Sequence, residues 1–387
     1  MRIGVLKERK HDERRVALRP CQVDTLVKSG HEVYVERAAG EFVGYRDFEY
    51  EKAGAIILDQ NDIYESASLL LKVKCPLEIE FSYLNEKHTL FAFLHFDENI
   101  SPVNINRIVE TGVTGIAYEW VQKNGCYPLL QPMSELTGAV SARKTMELLV
   151  EKKGLLGGSY LSHWPASKAM VIGVGHIGAN AINVFLRNKY RLVVIDKNPK
   201  TLENRLSPYV DLDMWRQANV TVVRFDESEP EQSVKEMRNY LPEIDIVICA
   251  AVRRATLPKE RLEFLITKGD VKMMQRNSII SDAKACTRDL IETCVATEGL
   301  YDTYVEEDVF HYNCDHVPSL VARTATELLT EATFPYVRML AEKGFEQAVG
   351  NDTSLFSAVM CYRKCLTHEY SAKKKNMPFD YLRDMIG

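Results

Sequence analysis

The chain has 387 residues, 46% of them hydrophobic and 27% charged, with a net charge of −5. That length suggests two or three domains, and the mildly acidic balance excludes nucleic acid as the main partner, because neutralising phosphates needs clustered Lys and Arg in excess. No apolar run reaches the ~18 residues that span a bilayer, and charge near Met1 precludes a secretory signal.

Residues 2–5 predict a strand, 23–28 a helix ending at Gly30, and 31–35 the next strand. Further apolar strands are expected at 69–73 and 90–94. Strands alternating with helical patterns imply parallel βαβ units. A long helical pattern over 134–150 is broken by Lys153-Gly154-Leu155-Leu156-Gly157-Gly158. A second α/β unit follows, with a buried strand at 169–173, a helix at 179–187 and a strand at 191–196. Residues 220–223, 244–249 and 278–280 are further strand candidates. From about Thr324 the chain is expected to be helical, with apolar residues at helical spacing over 328–340 and 345–349. The basic run Ala372-Lys373-Lys374-Lys375 reads as a solvated helix end. Nine scattered cysteines fit reduced thiols in a cytoplasmic protein. Cys361 and Cys365, four apart, are expected on one helix face, with no His or second Cys pair to complete a metal site. The two α/β units are expected to flank a central cleft that takes a small ligand.

Gly173-Val174-Gly175-His176-Ile177-Gly178 is a G-x-G-x-x-G run between a predicted strand and a predicted helix. Asp196 ends the following strand, near the expected ~20-residue interval. Gly173 permits the tight turn, Gly175 lets the backbone approach a pyrophosphate, and Gly178 lets helix and strand pack closely. The helix N-terminus offers unpaired N–H groups to the phosphates. A carboxylate at 196 accepts ribose hydroxyls and repels a 2′-phosphate, so NAD(H) is expected over NADP(H). Lys197 and Arg191 soften that preference.

A second constellation lies in the first unit. Glu13-Arg14-Arg15-Val16-Ala17-Leu18-Arg19-Pro20 follows the first strand, and a guanidinium there suits a carboxylate as well as it suits a surface ion pair. Lys74 and His95 end two successive apolar strands. Singly each reads as solvated or structural; together, at the ligand-facing ends of an α/β sheet, they support a functional reading.

With these segments, and with Ile116-Ala117-Tyr118-Glu119, Pro128-Leu129-Leu130-Gln131-Pro132-Met133-Ser134-Glu135 and Ala332-Thr333-Phe334-Pro335-Tyr336-Val337, the sequence resembles the alanine dehydrogenase and nicotinamide nucleotide transhydrogenase family nearly end to end. The resemblance implies two Rossmann-like domains: a substrate domain from residues 1–133 plus 318–387, and an NAD(H)-binding domain from 134–317. It implies a small amino acid or 2-oxo acid as substrate, with Arg15 and Lys74 on its carboxylate, His95 as acid/base, and Tyr118, Glu119 and His316 at the substrate. Ser134, the 173–178 loop (Gly173, Gly175, His176, Ile177 and Gly178), Asp196, Ala251 and Val252 are implied at the cofactor. The types suit the chemistry. As hydride moves at the α-carbon a proton must move on oxygen or nitrogen, which His serves near neutrality, and a lysine polarises a carbonyl oxygen. Relatives range from monomers to hexamers, so a homo-oligomer is compatible. The absence of an apolar span speaks against a transhydrogenase subunit.

Two segments depart from the pattern. Cys286 stands where alanine dehydrogenases present a catalytic aspartate, and it reads as a small apolar wall. Asp315-His316-Val317-Pro318-Ser319-Leu320 resembles a segment of lysine-forming saccharopine dehydrogenases, which handle secondary amines. Carboxyethyl-ornithine synthase is similar through its own Glu-Arg-Arg-Val. Arg253 and Arg254 read equally as a site for a larger acidic substrate or as a solvated loop. Oxidative deamination of a small amino acid, secondary-amine chemistry and a catalytically silent NAD(H)-binding sensor therefore all remain open at the level of sequence.

Overall fold

In the computed structural model, which describes residues 1–98, 100–253 and 256–386, the chain divides into two units. One holds Met1–Met133 and the chain from Val321 onward; the other is Ser134–Leu320. Each is built on a mostly parallel sheet.

The first unit opens with six parallel strands: β1 (Arg2–Val5), β2 (Glu32–Glu36), β3 (Ile56–Leu58), β4 (Leu69–Lys74), β5 (Thr89–Phe93) and β6 (Thr114–Ala117). Their spatial order is β6-β5-β4-β1-β2-β3. The order reverses between β1 and β4, and such a switch point opens a crevice at the C-terminal strand ends. β4 and β5 are buried nearly throughout and apolar except at Lys72, Lys74 and Thr89, as expected for parallel strands covered on both faces. The pairing of β4 with β5 slips between Leu71 and Lys74: Leu71 faces Phe91, yet Lys74 faces Phe93. Three steps along β4 thus match two along β5, which is a bulge, and bulges re-aim the side chains that follow them.

The second unit carries β7 (Lys168–Ile172), β8 (Arg191–Asp196), β9 (Val220–Arg224), β10 (Ile246–Cys249), β11 (Ile279–Asp282), β12 (Tyr304–Glu306) and β13 (Val309–His311). The order is β12-β13-β11-β10-β7-β8-β9, with β12 alone antiparallel. Its switch point lies between β7 and β10. Alternation along β7 feeds two cores: Ala169 and Val171 join one cluster, Met170 and Ile172 the other. The helix His176–Arg187 follows β7 directly and buries Ala179, Ala181, Ile182, Phe185 and Leu186, the spacing of a single apolar stripe.

The tail differs from the all-helical expectation. The helix Ala322–Asn351 is interrupted at Gly344, whose φ of 74° is not helical. The chain then returns as β14 (Val359–Tyr362) and β15 (Cys365–Leu366), with β14 antiparallel to β6 and β15 to β14. Cys361 and Cys365 therefore lie on two strands of a hairpin rather than on a helix face. Arg363 and Lys364 turn it, at φ of 47° and 62°. Positive φ at both turn residues is the hairpin requirement that Asn-Gly normally signals; its absence hid the strands. The basic run ends the short helix Glu369–Lys375.

Candidate functional site

In the first unit the switch point gathers the ends of β1, β4 and β5. Glu8 lies three residues beyond β1. Its carboxylate accepts the backbone N–H groups of Val73 (2.6 Å) and Lys74 (3.2 Å). The bulge alters the pairing of this stretch of β4, and Glu8 receives its N–H groups. The backbone that presents Lys74 is thereby held from below. Strict alternation would send Lys72 and Lys74 to one face, but the bulge intervenes between them. Lys72 is wholly buried, 2.9 Å from Glu80, while Lys74 is 9% exposed. An isolated charge would not tolerate Lys72's surroundings; Glu8 and Glu80 offset its burial.

The neighbouring strand is finished in the same way. Glu119 accepts the N–H groups of Leu94 (3.3 Å) and His95 (2.6 Å). His95 sits at φ 49°, a left-handed conformation that costs a non-glycine residue on the order of 1 kcal/mol or more and clusters at functional sites. Two contacts orient its ring. It stacks on Phe93, with centroids 5.6 Å apart, and its Nδ1 lies 3.5 Å from Glu98. Tyr118 is fully buried, edge-on to Phe91 and Phe93, so it lies beneath the site as packing for the ring that His95 rests on. Arg15 is also buried. Its Nε and one terminal nitrogen bind both oxygens of Glu13 at 2.7 and 2.6 Å, and the other terminal nitrogen lies 3.3 Å from Met133 Sδ. It is a buried, oriented guanidinium rather than a surface ion pair.

Burial, above all, pushes Glu119 up to about 8 and Glu8 up to about 7. Unfolded, both titrate near 4.3. Between those values the folded chain keeps protons that the unfolded chain has released, so their contribution to stability is lost as pH rises from about 4.3 to about 8. Thermal melts across that window are expected to show falling stability with rising pH, and Glu119→Gln should flatten the decline. Identical slopes for the two proteins would contradict the burial argument.

In the second unit, the loop after β7 meets each requirement of a dinucleotide turn. Gly173 has φ 87°, and a Cβ there would stand 3.0 Å from the Ala251 backbone. At Gly178 a Cβ would stand 2.0 Å from the Gly173 carbonyl oxygen, which forces glycine where helix meets turn. Gly175 is different: a Cβ would meet nothing within 4 Å. The protein's own packing does not demand glycine there, so the open space suits a close-approaching ligand. Gly175, Asp196, Arg205, Ala251 and Val252 line a cavity of about 470 Å³, a size typical of small-ligand sites. His176 is exposed, with Nδ1 2.6 Å from the Tyr209 hydroxyl, and Ile177 and Ser134 are half-buried.

Other expectations are corrected here. Arg191 begins β8 and donates to the Ala166 carbonyl, at the opposite end of the strand from Asp196. Arg253 lines this same cavity and also binds Asp289 and the carbonyls of Leu262 and Glu263, so it faces the cavity while bracing its own loop. Arg254 lies outside the described residues. His316 is 1% exposed, with Nδ1 2.8 Å from Asp315 and 3.4 Å from Cys314 Sγ and its Nε2 buried without a hydrogen-bond partner among the described residues. Cys286 is half-buried in a turn whose N–H groups at Lys284 and Cys286 bind the Asp282 carboxylate. Burial raises Asp282 to about 6.

Sequence reasoning overlooked Glu8, Glu13 and Arg205. The only available signal was a carboxylate just past a strand end, or a cation soon after the ribose-side strand.

Comparisons with known proteins agree across the chain. The family models for alanine dehydrogenase/PNT match residues 4–137 (N-terminal domain) and 140–369 (C-terminal domain). An alanine dehydrogenase of Staphylococcus haemolyticus is 33% identical over 394 aligned positions, covering 100% of this chain and 99% of that one. One of Methanococcus maripaludis is 33% identical over 387, covering 98% of each. A solved L-alanine dehydrogenase superposes with a TM-score of 0.81 at 30% identity, covering 97% of this chain and 99% of its own. A transhydrogenase from Sinorhizobium meliloti shares the fold, at a TM-score of 0.74 and 21% identity over 95% of this chain and 99% of its own. Among the described residues no helix is long and apolar enough to cross a membrane.

Proposed function

The chain belongs to the alanine dehydrogenase/PNT family, and we propose that it is an NAD(H)-dependent oxidoreductase acting on the CH–NH2 group of a small amino acid, interconverting it with the 2-oxo acid and ammonia. The observation that carries this reading is the end-to-end match, through both units, to alanine dehydrogenases. The strand-end pair Lys74 and His95, each on a backbone held by a buried carboxylate, supports it.

Bound in the second unit, NAD(H) supplies the hydride acceptor or donor. The 173–178 loop would hold the pyrophosphate at the helix N-terminus, Asp196 would take the adenosine ribose, and Ser134, Ala251 and Val252 would hold the rest of the cofactor. Asp196 disfavours a 2′-phosphate, so NAD(H) is preferred. Arg15 and Lys74 hold the substrate carboxylate by charge-assisted hydrogen bonds. Lys74 also polarises the oxygen that leaves as water in the aminating direction. His95 moves the proton that hydride transfer alone does not account for. Glu119 and Tyr118 act on His95 from beneath.

The direct test follows NADH absorbance with purified protein, pyruvate and ammonia, then with lysine or ornithine replacing ammonia. Consumption with ammonia is expected. Consumption only with the larger amines would replace deamination by secondary-amine chemistry, and none with any 2-oxo acid would refute the assignment.

A further inference from the structure

Asp196 is the residue expected to read the ribose, yet its acceptor capacity is already used. One oxygen accepts the Asn198 N–H at 2.7 Å and an Arg205 nitrogen at 2.6 Å; the other accepts the Val174 N–H at 3.1 Å and the second Arg205 nitrogen at 3.1 Å. A carboxylate offers about four acceptor positions, and all four are filled. Burial works against ionisation of Asp196, but the hydrogen bonds from Arg205 and the two backbone N–H groups outweigh it and hold the carboxyl below its ordinary range. Two of the four donors are backbone groups fixed by the turn. The other two belong to one side chain.

That side chain is partly open to solvent. Arg205 is 36% exposed and lines the same cavity as Gly175 and Asp196. It lies on the short helix Leu202–Leu206, and its remaining bonds are to the carbonyls of Val174 (2.7 Å) and Asn198 (3.0 Å). Its Nε has no partner among the described residues. Two further cations line the cavity: Lys197, 3.9 Å from Glu227, and Arg253, 2.6 Å from Asp289. A ribose diol therefore reaches Asp196 only by taking the place of the Arg205 guanidinium.

We infer that Arg205 is a specificity-determining residue that sets how strongly the site discriminates NAD(H) from NADP(H). With NAD(H), the 2′- and 3′-hydroxyls compete with the guanidinium for Asp196, and that competition lowers affinity. With NADP(H), the displaced guanidinium faces the 2′-phosphate and binds it as a planar fork, which offsets the repulsion from Asp196. Arg205 thus narrows a preference that Asp196 alone would make wide. The inference rests on the proposed assignment of this cavity to a dinucleotide.

The test is direct titration of the full chain with NADH and with NADPH, read by cofactor fluorescence without substrate. Arg205→Ala is expected to tighten NADH and weaken NADPH, each by about three- to tenfold, as for loss of a partly exposed ion pair. Arg205→Lys, which keeps the charge but not the fork, should retain part of the NADPH affinity and release Asp196 only in part. An equal change for both cofactors in Arg205→Ala, or a loss confined to NADH, would overturn the inference by showing that Arg205 merely braces Asp196. If the unaltered protein binds neither dinucleotide, the cofactor assignment falls and this inference falls with it. Binding with an unchanged NADH-to-NADPH ratio in the variant overturns the inference alone.

Discussion

Lys74→Ala should lower turnover by about a thousandfold or more while leaving NADH binding intact, and replacement of His95 should do the same. The reasoning starts from the backbone. Glu8 and Glu119 each spend a buried carboxylate on the N–H groups at the ends of β4 and β5. Burying ionisable groups only to fix two strand ends is costly, and the side chains those ends present are Lys74 and His95. Both residues lie in the first unit, whereas the dinucleotide loop lies wholly in the second, so the chemical step and cofactor binding should separate. At 95 the choice of substitution matters. The φ of 49° penalises alanine, whereas asparagine tolerates the left-handed region, so His95→Asn isolates the lost imidazole from backbone strain. Steady-state rates with NADH, pyruvate and ammonia, beside a fluorescence titration of NADH, measure both quantities. Wild-type turnover in Lys74→Ala would remove it from the catalytic machinery.

The second large effect is a contrast between two glycines of one loop. Gly178→Ala places a Cβ 2.0 Å from the Gly173 carbonyl oxygen and 3.4 Å from Val171 Cγ1. A backbone oxygen cannot swing aside as a side chain can, so the helix His176–Arg187 must shift off β7. Overpacking of this kind costs about 1–3 kcal/mol, and the second unit should melt several degrees earlier. Gly175→Ala meets nothing within 4 Å, at φ −95° and ψ 160° below zero, a conformation open to any residue. Its stability should stay within about 0.5 kcal/mol of the parent, yet NADH should bind at least tenfold more weakly, because the new methyl occupies the approach of the pyrophosphate. Calorimetric melts and NADH titrations of both variants check this. Unaltered NADH affinity in Gly175→Ala would mean that the open space is not the phosphate approach.

Much of this molecule was legible in the sequence because its signals are local. Alternation of short apolar runs with helical spacing identified two α/β units, and β1, β4, β5, β7 and β8 fall within a residue or two of their expected bounds. The glycine loop was legible for a stronger reason: close approach and positive φ forbid a side chain, so the constraint is written in the residue type itself. The terminal hairpin was not, since Arg363 and Lys364 take turn conformations without the residues that announce them.

What only the tertiary structure decided is which charged groups meet. Spacing could nominate Lys74 and His95 as strand-end residues, but not the bulge that separates Lys74 from the buried Lys72, nor Glu8, 65 and 66 residues before the N–H groups it holds. It could nominate Asp196 as a ribose ligand, but not the guanidinium already seated on it. Sequence patterns report which faces of a strand or helix are buried, because burial repeats with the element's period. Pairing between charges has no period: it depends on distances set when distant segments pack, and there the meaning of a carboxylate or a cation passes from composition to geometry.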